Sequence, residues 1–482
     1  MDVVVIGGGV AGLGAAVALG RAGHRVTVLE RDDTPTPPTA DEAFDGDRRG
    51  APQVRHSHAF LARLRNLLRD HYPDLLTDLL DAGATEMAFG ADLPPTLQGY
   101  EPLPGDDDVV MLACRRTTFE WVLRRAAVAQ HGVSMRTGVP VTGLLTQPSS
   151  GEAPHIVGVR TATGEIHADV VVTAAGRRSA LPDWLAAVGA TPPPEEVEDT
   201  GIVYFSRFYR LREGAVVPPR AGLVGGDLGY LKYGVFVGDN ATFSITLASP
   251  VDDDEMRRQL ADPERFERAA RQLTVAAPWL DGRAEPLSRD VHVMAGLLNR
   301  WRPLVAGGRP VALGLHAVGD AQVCTNPLYG RGCTTGFWHA HLLAQTLTSH
   351  AHDHAAAALA FHDATQQHLV PWYRASVAND AEARRVAAAL LRGADPDADT
   401  NDQRTLMRGV FRDGLIPALR TDAVVLRAFV RTFNLLDHPQ AMLTDPEVTA
   451  RVMKVWSERH SRPPEPALGP RDRSAMLAAL AA

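Results

Sequence analysis

The stretch that most constrains this chain is its N-terminal 30 residues. Val3–Ile6 is a short apolar run, Gly7-Gly8-Gly9-Val10-Ala11-Gly12 follows at once, and an Ala/Leu-rich stretch from Val10 to Ala22 stops at Gly23. Arg25-Val-Thr-Val-Leu-Glu30 then supplies a second apolar run. Such runs read as strands buried on both faces of a parallel sheet, and the stretch between them reads as a helix, so the spacing predicts a βαβ unit and an α/β fold. The glycines satisfy GxGxxG between strand and helix. Gly7 permits the tight turn, Gly9 lets a pyrophosphate come against the backbone, and Gly12 allows the helix to pack closely, while Val10 and Ala11 open the helix whose N-terminal amides face the phosphates. Glu30, at the end of the second strand, is placed to accept hydrogen bonds from the ribose of an adenosine half and to repel a 2′-phosphate.

The remaining 452 residues leave room for two or three subdomains around a shared site. Pro, Asp, Thr and Gly in residues 32–52 mark a surface loop, and helical periodicity resumes at His58–Leu80 and at Thr117–Gln130. Ile156–Arg160 and Glu165–His167 predict a hairpin turning at Thr163-Gly164 and leading into a buried strand at Asp169–Ala174. From Gly201 to Pro250, alternating aromatic and β-branched residues predict a separate, mostly antiparallel sheet. Tyr204, Phe208, Tyr230 and Phe236 are candidates there to line an apolar pocket, although aromatic strand residues are more often simple core. Val311–Leu315 predicts one more buried strand before a Gly-rich turn and a long helix, and beyond His350 the chain is Ala, Arg and Leu rich with helical spacing. His350, His352 and His354 have no accompanying cysteine or second cluster and read as a solvated helix end.

The second chemical motif lies far downstream, in Gly314-Leu-His-Ala-Val-Gly319-Asp320 and Asn326-Pro327-Leu-Tyr-Gly330-Arg-Gly332. An aspartate after a strand can bind a sugar-alcohol chain. A helix opening near Cys333 would direct its amides and dipole at negative charge on a reduced flavin. Here the sequence resembles the flavoprotein monooxygenases of the para-hydroxybenzoate hydroxylase fold, whose GD segment is similar to Gly319-Asp320 with Pro327, Gly330 and Gly332. In that family the aspartate contacts the ribityl chain of FAD. Arg116-Thr-Thr-Phe119-Glu-Trp-Val-Leu123 resembles the family's RxxLxxxL helix, where the arginine reaches the FAD phosphate and ribitol. Asp169 to Ser179 is similar to the third motif, with Ala175 and Gly176 in its turn, but Ala175 stands where the family has an aspartate associated with FAD and NAD(P)H binding. That departure puts direct reduction by a nicotinamide in doubt and leaves room for a separate reductase. Arg31 and Val141 complete the candidate cofactor contacts.

Ala-Gly176-Arg-Arg-Ser followed by Leu181-Pro-Asp-Trp-Leu185, with Gln53-Val-Arg55-His56-Ser-His58, looks like the bacterial polyether and squalene-type epoxidase branch. Arg55 and His56 are therefore the candidates nearest the reacting centre, Arg55 also as a cofactor contact. The resemblance covers roughly residues 1–350 and implies a Rossmann-type FAD-binding domain of the glutathione-reductase-like kind, a β-sheet substrate domain and a helical C-terminal region. The FAD-binding parts are expected at 1–85, 111–190 and 296–350, with a substrate-domain excursion at 86–110, the substrate domain at 191–295, and the helical region at 351–482.

The implied activity is epoxidation or hydroxylation of a largely apolar small molecule, of the secondary-metabolite kind, through a flavin C4a-hydroperoxide. Partners would be molecular oxygen, NADH or NADPH as electron donor, and a flavin reductase where delivery is indirect. The main alternative is an FAD-dependent reductase or dehydrogenase of a prenyl or polyketide chain. A flavin halogenase is disfavoured because Lys232 and Lys454 are the only lysines and no Trp-x-Trp-x-Ile-Pro segment exists. A flavin-binding protein without catalysis is the remaining class. A net charge of −8 argues against a nucleic-acid partner, and no apolar stretch reaches the roughly 18 residues of a membrane span. Three cysteines, Cys114, Cys324 and Cys333, with no CxxC pair and no signal-peptide pattern at the N-terminus lead to an expectation of a cytoplasmic enzyme.

Overall fold

The structure, a computed structural model, describes residues 1–46, 48–97, 99–147, 153–218, 225–463 and 467–481. Asp47, inside the expected loop 32–52, and residues 219–224 of the expected substrate domain lie outside these. The βαβ unit forms as β1 (Asp2–Ile6), α1 (Val10–Arg21) and β2 (Arg25–Leu29). Next come α2 (Arg116–Ala129), β3 (Val133–Arg136) and β4 (Val170–Thr173). The long strands β5 (Ile202–Leu211), β6 (Lys232–Val237) and β7 (Thr242–Pro250) follow. After them come β8 (Leu315–Ala317), α3 (Gly332–Ser349) and α4 (Val370–Leu391).

Five strands build one parallel sheet in the order β8-β4-β1-β2-β3. Val3, Val5, Val28, Val170 and Val172 pack beneath α1 and α3, whereas Val4, Ile6, Leu29 and Val171 pack on the other face against Leu144, Ile156 and Leu181. With both faces covered, every strand position is best filled by an apolar residue, which is why β1 and β4 read as continuous runs rather than as alternation. Helices α1 and α3 meet where Gly14 lies under Phe337; a Cβ on Gly14 would stand 2.9 Å from that ring.

Strands β5, β6 and β7 form the core of a second, six-stranded sheet, with β5 paired to β7 in register Phe205–Leu247 and Ser206–Thr246. Here alternation holds. Phe205, Tyr209, Phe243, Ile245 and Leu247 point to a core shared with Met256, Phe266 and Trp279, while Tyr204, Ser206, Phe208, Ser244 and Thr246 occupy the opposite face.

Three expectations shift. The helix expected over His58–Leu80 is two helices, Ala62–His71 and Pro73–Asp81, because Pro73 has no N–H to continue the first and suits the first turn of the second. The stretch 32–52 is not all loop, since Thr39 caps a short helix at Ala40–Asp45. The strand expected at Val311–Leu315 runs instead over Leu315–Ala317, because Gly314 at φ +69° turns the chain just before it.

The C-terminal region is helical, as expected, but divides. Ala418, Leu419, Val425, Leu426, Val448 and Val452 form a small core with Leu97. The last helix, Arg473–Ala481, instead leaves that cluster, and its Met476 and Leu480 enter the core under the six-stranded sheet. Among the described residues, no helix is long and apolar enough to cross a membrane.

Candidate functional site

The glycine turn is assembled by close backbone approach. Gly7, at φ +104°, donates its N–H to Leu29 O at 2.9 Å, and a Cβ on Gly12 would lie 1.9 Å from Gly7 O. By contrast, a Cβ on Gly9, the residue capping α1, would meet nothing within 4 Å. The cradle is thus open where a phosphate would arrive and closed where helix and strand pack. Val10 is buried in the core, and Ala11 faces Gly319, whose Cβ would stand 2.8 Å from that of Ala11.

Glu30 is 5% exposed; its Oε2 accepts from Gly8 N at 2.8 Å and its Oε1 from Asp32 N at 2.9 Å, which leaves lone pairs on both oxygens. Arg31 is exposed. The cation beside Glu30 is instead Arg48, which pairs with Glu120 and lies 3.7 Å from Glu30 and 3.5 Å from Asp32. Arg48 belongs to the expected loop, where no periodicity or motif singles it out.

Arg116 is the first residue of α2. Its Nη1 donates to His58 Nε2 at 3.2 Å, and His58 Nδ1–H in turn donates to His56 O at 2.9 Å. Burial, reinforced by Arg116, holds His58 well below the ordinary histidine value, which fits this neutral tautomer. The Nε of Arg116 is buried without a hydrogen-bond partner.

Gly319 sits at φ +59°, and its N–H donates to His339 Nδ1 at 3.2 Å. His339 Nε2–H is then directed at Thr365 Oγ1, 2.9 Å away, so the ring on α3 must be neutral to hold the turn. Burial pushes His339 down to about 3. Asp320 is half-buried, and its carboxylate accepts no hydrogen bond among the described residues. Burial raises it above the usual carboxylate range while Arg116 and Arg177 oppose that shift. Pro327 opens a single 3-10 turn closed by Gly330 at φ +66°, whose Cβ would stand 2.9 Å from that of Ala59. Gly332 begins α3 with nothing within 4 Å of its Cβ position. The Cys333 thiol is packed in the main core and pushed up to about 11 by burial, so this residue can serve a ligand only through its backbone amide.

Ala174 N bonds to Ile6 O at 2.8 Å, which brings the third motif beside the glycine turn. Ala175 is exposed, and Gly176 at φ +69° has open space at its Cβ position. Val141 packs partly buried against the β1 and β2 side of the sheet.

His56 is 3% exposed. Its Nδ1 lies 3.1 Å from Ser206 Oγ, which bonds to Thr246 Oγ1 at 2.7 Å. Thr246 is 2.7 Å from Ser57 Oγ, and Ser57 is 2.7 Å from Ser244 Oγ. The ring meets Tyr204 edge-on at 4.7 Å, and burial pushes His56 down to about 3. Arg55 is engaged elsewhere. It donates to Asp45 O at 2.9 Å and Gly46 O at 3.1 Å and lies over Phe44, whose ring packs on Phe208 at 5.1 Å. Tyr204 and Phe208 therefore stand on the site face of the sheet, as does Phe236 by its pairing with Ser244. Tyr230 lies in the opposite core and donates to Pro470 O.

A family model described as an NAD(P)-binding Rossmann-like domain matches residues 5–70. Protein Rv3254 of Mycobacterium tuberculosis is 28% identical over 493 residues, covering 96% of each chain. Among solved structures, the flavin-dependent brominase Bmp2 is 17% identical with a TM-score of 0.60, over 96% of this chain and 100% of that one. pqsL, a probable FAD-dependent monooxygenase from Pseudomonas aeruginosa, is 17% identical with a TM-score of 0.56, over 85% of this chain and 99% of that one. The chain therefore has the fold of the FAD-dependent monooxygenases, a Rossmann-type dinucleotide-binding domain joined to an antiparallel sheet and a helical C-terminal region.

Proposed function

We propose that this chain binds one FAD non-covalently and acts as a monooxygenase that epoxidises or hydroxylates a largely apolar small molecule. The observation that carries the reading is the meeting of four segments distant in sequence. The glycine turn touches the Gly319 turn through Ala11, and the segment at His56–Ala59 lies against both Arg116 and Gly330. The residues fit the cofactor. Gly9 and Gly332 leave open cradle at their Cβ positions, Arg116 has a buried donor without a partner, and Asp320 has a carboxylate accepting no hydrogen bond among the described residues.

On this reading the α1 amides hold the pyrophosphate, Glu30 the ribose, Arg116 and Asp320 the phosphate and ribityl region, and the first turn of α3 faces the flavin ring. Bound FAD supplies two-electron transfer and oxygen activation. The chain's own residues keep water out and hold the reactant. His56, neutral at ordinary pH, presents an imidazole fixed by Ser206 and Tyr204, and the hydroxyls of Ser57, Ser244 and Thr246 satisfy one another on the same face of the sheet. A nicotinamide is the electron source, and the missing carboxylate at Ala175 favours delivery through a separate flavin reductase.

The purified protein is reduced without oxygen by NADH, by NADPH, or by a flavin reductase with NADH. Labelled oxygen is then admitted with polyene and polyketide compounds. Label in the product supports the reading. A saturated product with no oxygen uptake supports the reductase alternative, and colourless folded protein that takes up no FAD overturns both.

A further inference from the structure

Helix α4 carries Trp372, Ser376 and Asp380 four residues apart, a spacing that sets them in one row on one face. All three grip the turn at the head of α3. Arg331 is stacked between the rings of Trp372 and Tyr329, 4.8 Å from each, and its Nη1 donates to Ser376 Oγ at 3.2 Å. Asp380, 2% exposed, accepts from Asn299 Nδ2 at 2.7 Å, Asn326 Nδ2 at 2.9 Å and Tyr329 O–H at 2.8 Å. Asn299 Oδ1 accepts from Asn326 N at 2.8 Å and closes the network. None of the three donors to Asp380 is charged. A carboxylate buried this deeply is costly unless every bond to it is well made, so the network tolerates little movement of the turn.

We propose that Trp372, Ser376 and Asp380 are positioning residues that fix the Asn326–Gly332 turn, and through it the first amides of α3, against the flavin ring of bound FAD. The inference rests on the flavin reading above, and it gives the C-terminal helical region a direct part in the cofactor site.

The bonding pattern supplies the test. In Asp380→Asn, an amide nitrogen faces Asn299 Nδ2, donor against donor, and one bond is lost. Exchanging the two residues, Asn299→Asp with Asp380→Asn, restores every bond and the charge. Tyr329→Phe removes one donor without changing charge and serves where Asp380→Asn does not fold. FAD dissociation constant, visible circular dichroism of the bound flavin and its midpoint potential are measured, with the melting temperature of the FAD-free protein alongside. Both single variants are expected to bind FAD roughly tenfold more weakly with altered flavin dichroism, on the scale of one lost hydrogen bond. Tyr329→Phe also lowers the midpoint potential, because loosened amides stabilise reduced flavin less. The exchange returns affinity and dichroism to wild-type values. Single variants with wild-type flavin properties, or an exchange that restores melting but not the flavin properties, overturn the inference alone. Wild-type protein that binds no FAD overturns it together with the flavin reading.

Discussion

Gly9 and Gly12 stand three positions apart, and an added methyl group would meet open space at one and a backbone oxygen at the other. Gly9→Ala is expected to leave the melting temperature unchanged and to weaken FAD uptake in a fluorescence titration, because on the proposed reading the methyl takes the place of the phosphate. Gly12→Ala forces the turn apart and is expected to cost about 1–3 kcal/mol in denaturant unfolding. His339→Phe leaves the Gly319 N–H buried without its acceptor. It should lose about 1–3 kcal/mol by the same measurement. Glu30 could be picked out from sequence because strand, turn and helix fix its distance from the glycines. Arg48 could not, since its place beside Glu30 is set by an irregular path that local rules do not describe. His339 was equally hidden, because a histidine on a buried helix face carries no sign of which backbone group it serves.

At the scale of elements, the six-stranded sheet is fastened to α2 by one buried ion pair. Asp239, in the turn between β6 and β7, accepts from Arg115 N at 2.6 Å and Arg115 Nη2 at 2.6 Å, and from Thr118 Oγ1 at 2.9 Å. Asp239→Ala strands a buried guanidinium whose remaining partner is Asp41, and is expected to destabilise the protein by about 3 kcal/mol or more, read as a lower urea midpoint. The parallel strands β1 and β4 were legible because burial on both faces leaves nearly uninterrupted apolar runs. Strand β8 was misplaced for a specific reason. Val311 and Ala312 are buried like Leu315, so the apolar signal began too early, and the left-handed Gly314 marks where pairing with β4 starts. The row Trp372, Ser376, Asp380 resembles the mixed surface of any solvated helix, and its purpose is set by a turn more than 40 residues upstream.

For the molecule as a whole, burial holds several histidines neutral, His56, His58, His316, His339 and His341 among them. Burial pushes His56 and His339 to about 3 and His316 to about 4, against an ordinary value of 6.5. The unfolded chain therefore binds more protons than the folded one between roughly pH 6.5 and 3, and stability present above that window falls as pH drops through it. Each group contributes up to about 1.4 kcal/mol per pH unit. Urea midpoints should be flat above pH 7 and fall steeply towards pH 5. His316→Phe, which removes a ring whose Nε2 has no partner, should reduce the slope by about one proton.

The helix Arg473–Ala481 is easily mistaken for an appendage. Its Met476 and Leu480 join the core beneath the sheet whose upper side bears Ser206 and Thr246. On the proposed reading, removing Met476 and Leu480 would be felt as slackness in the wall facing the reactant, with selectivity eroding before the yellow colour is lost.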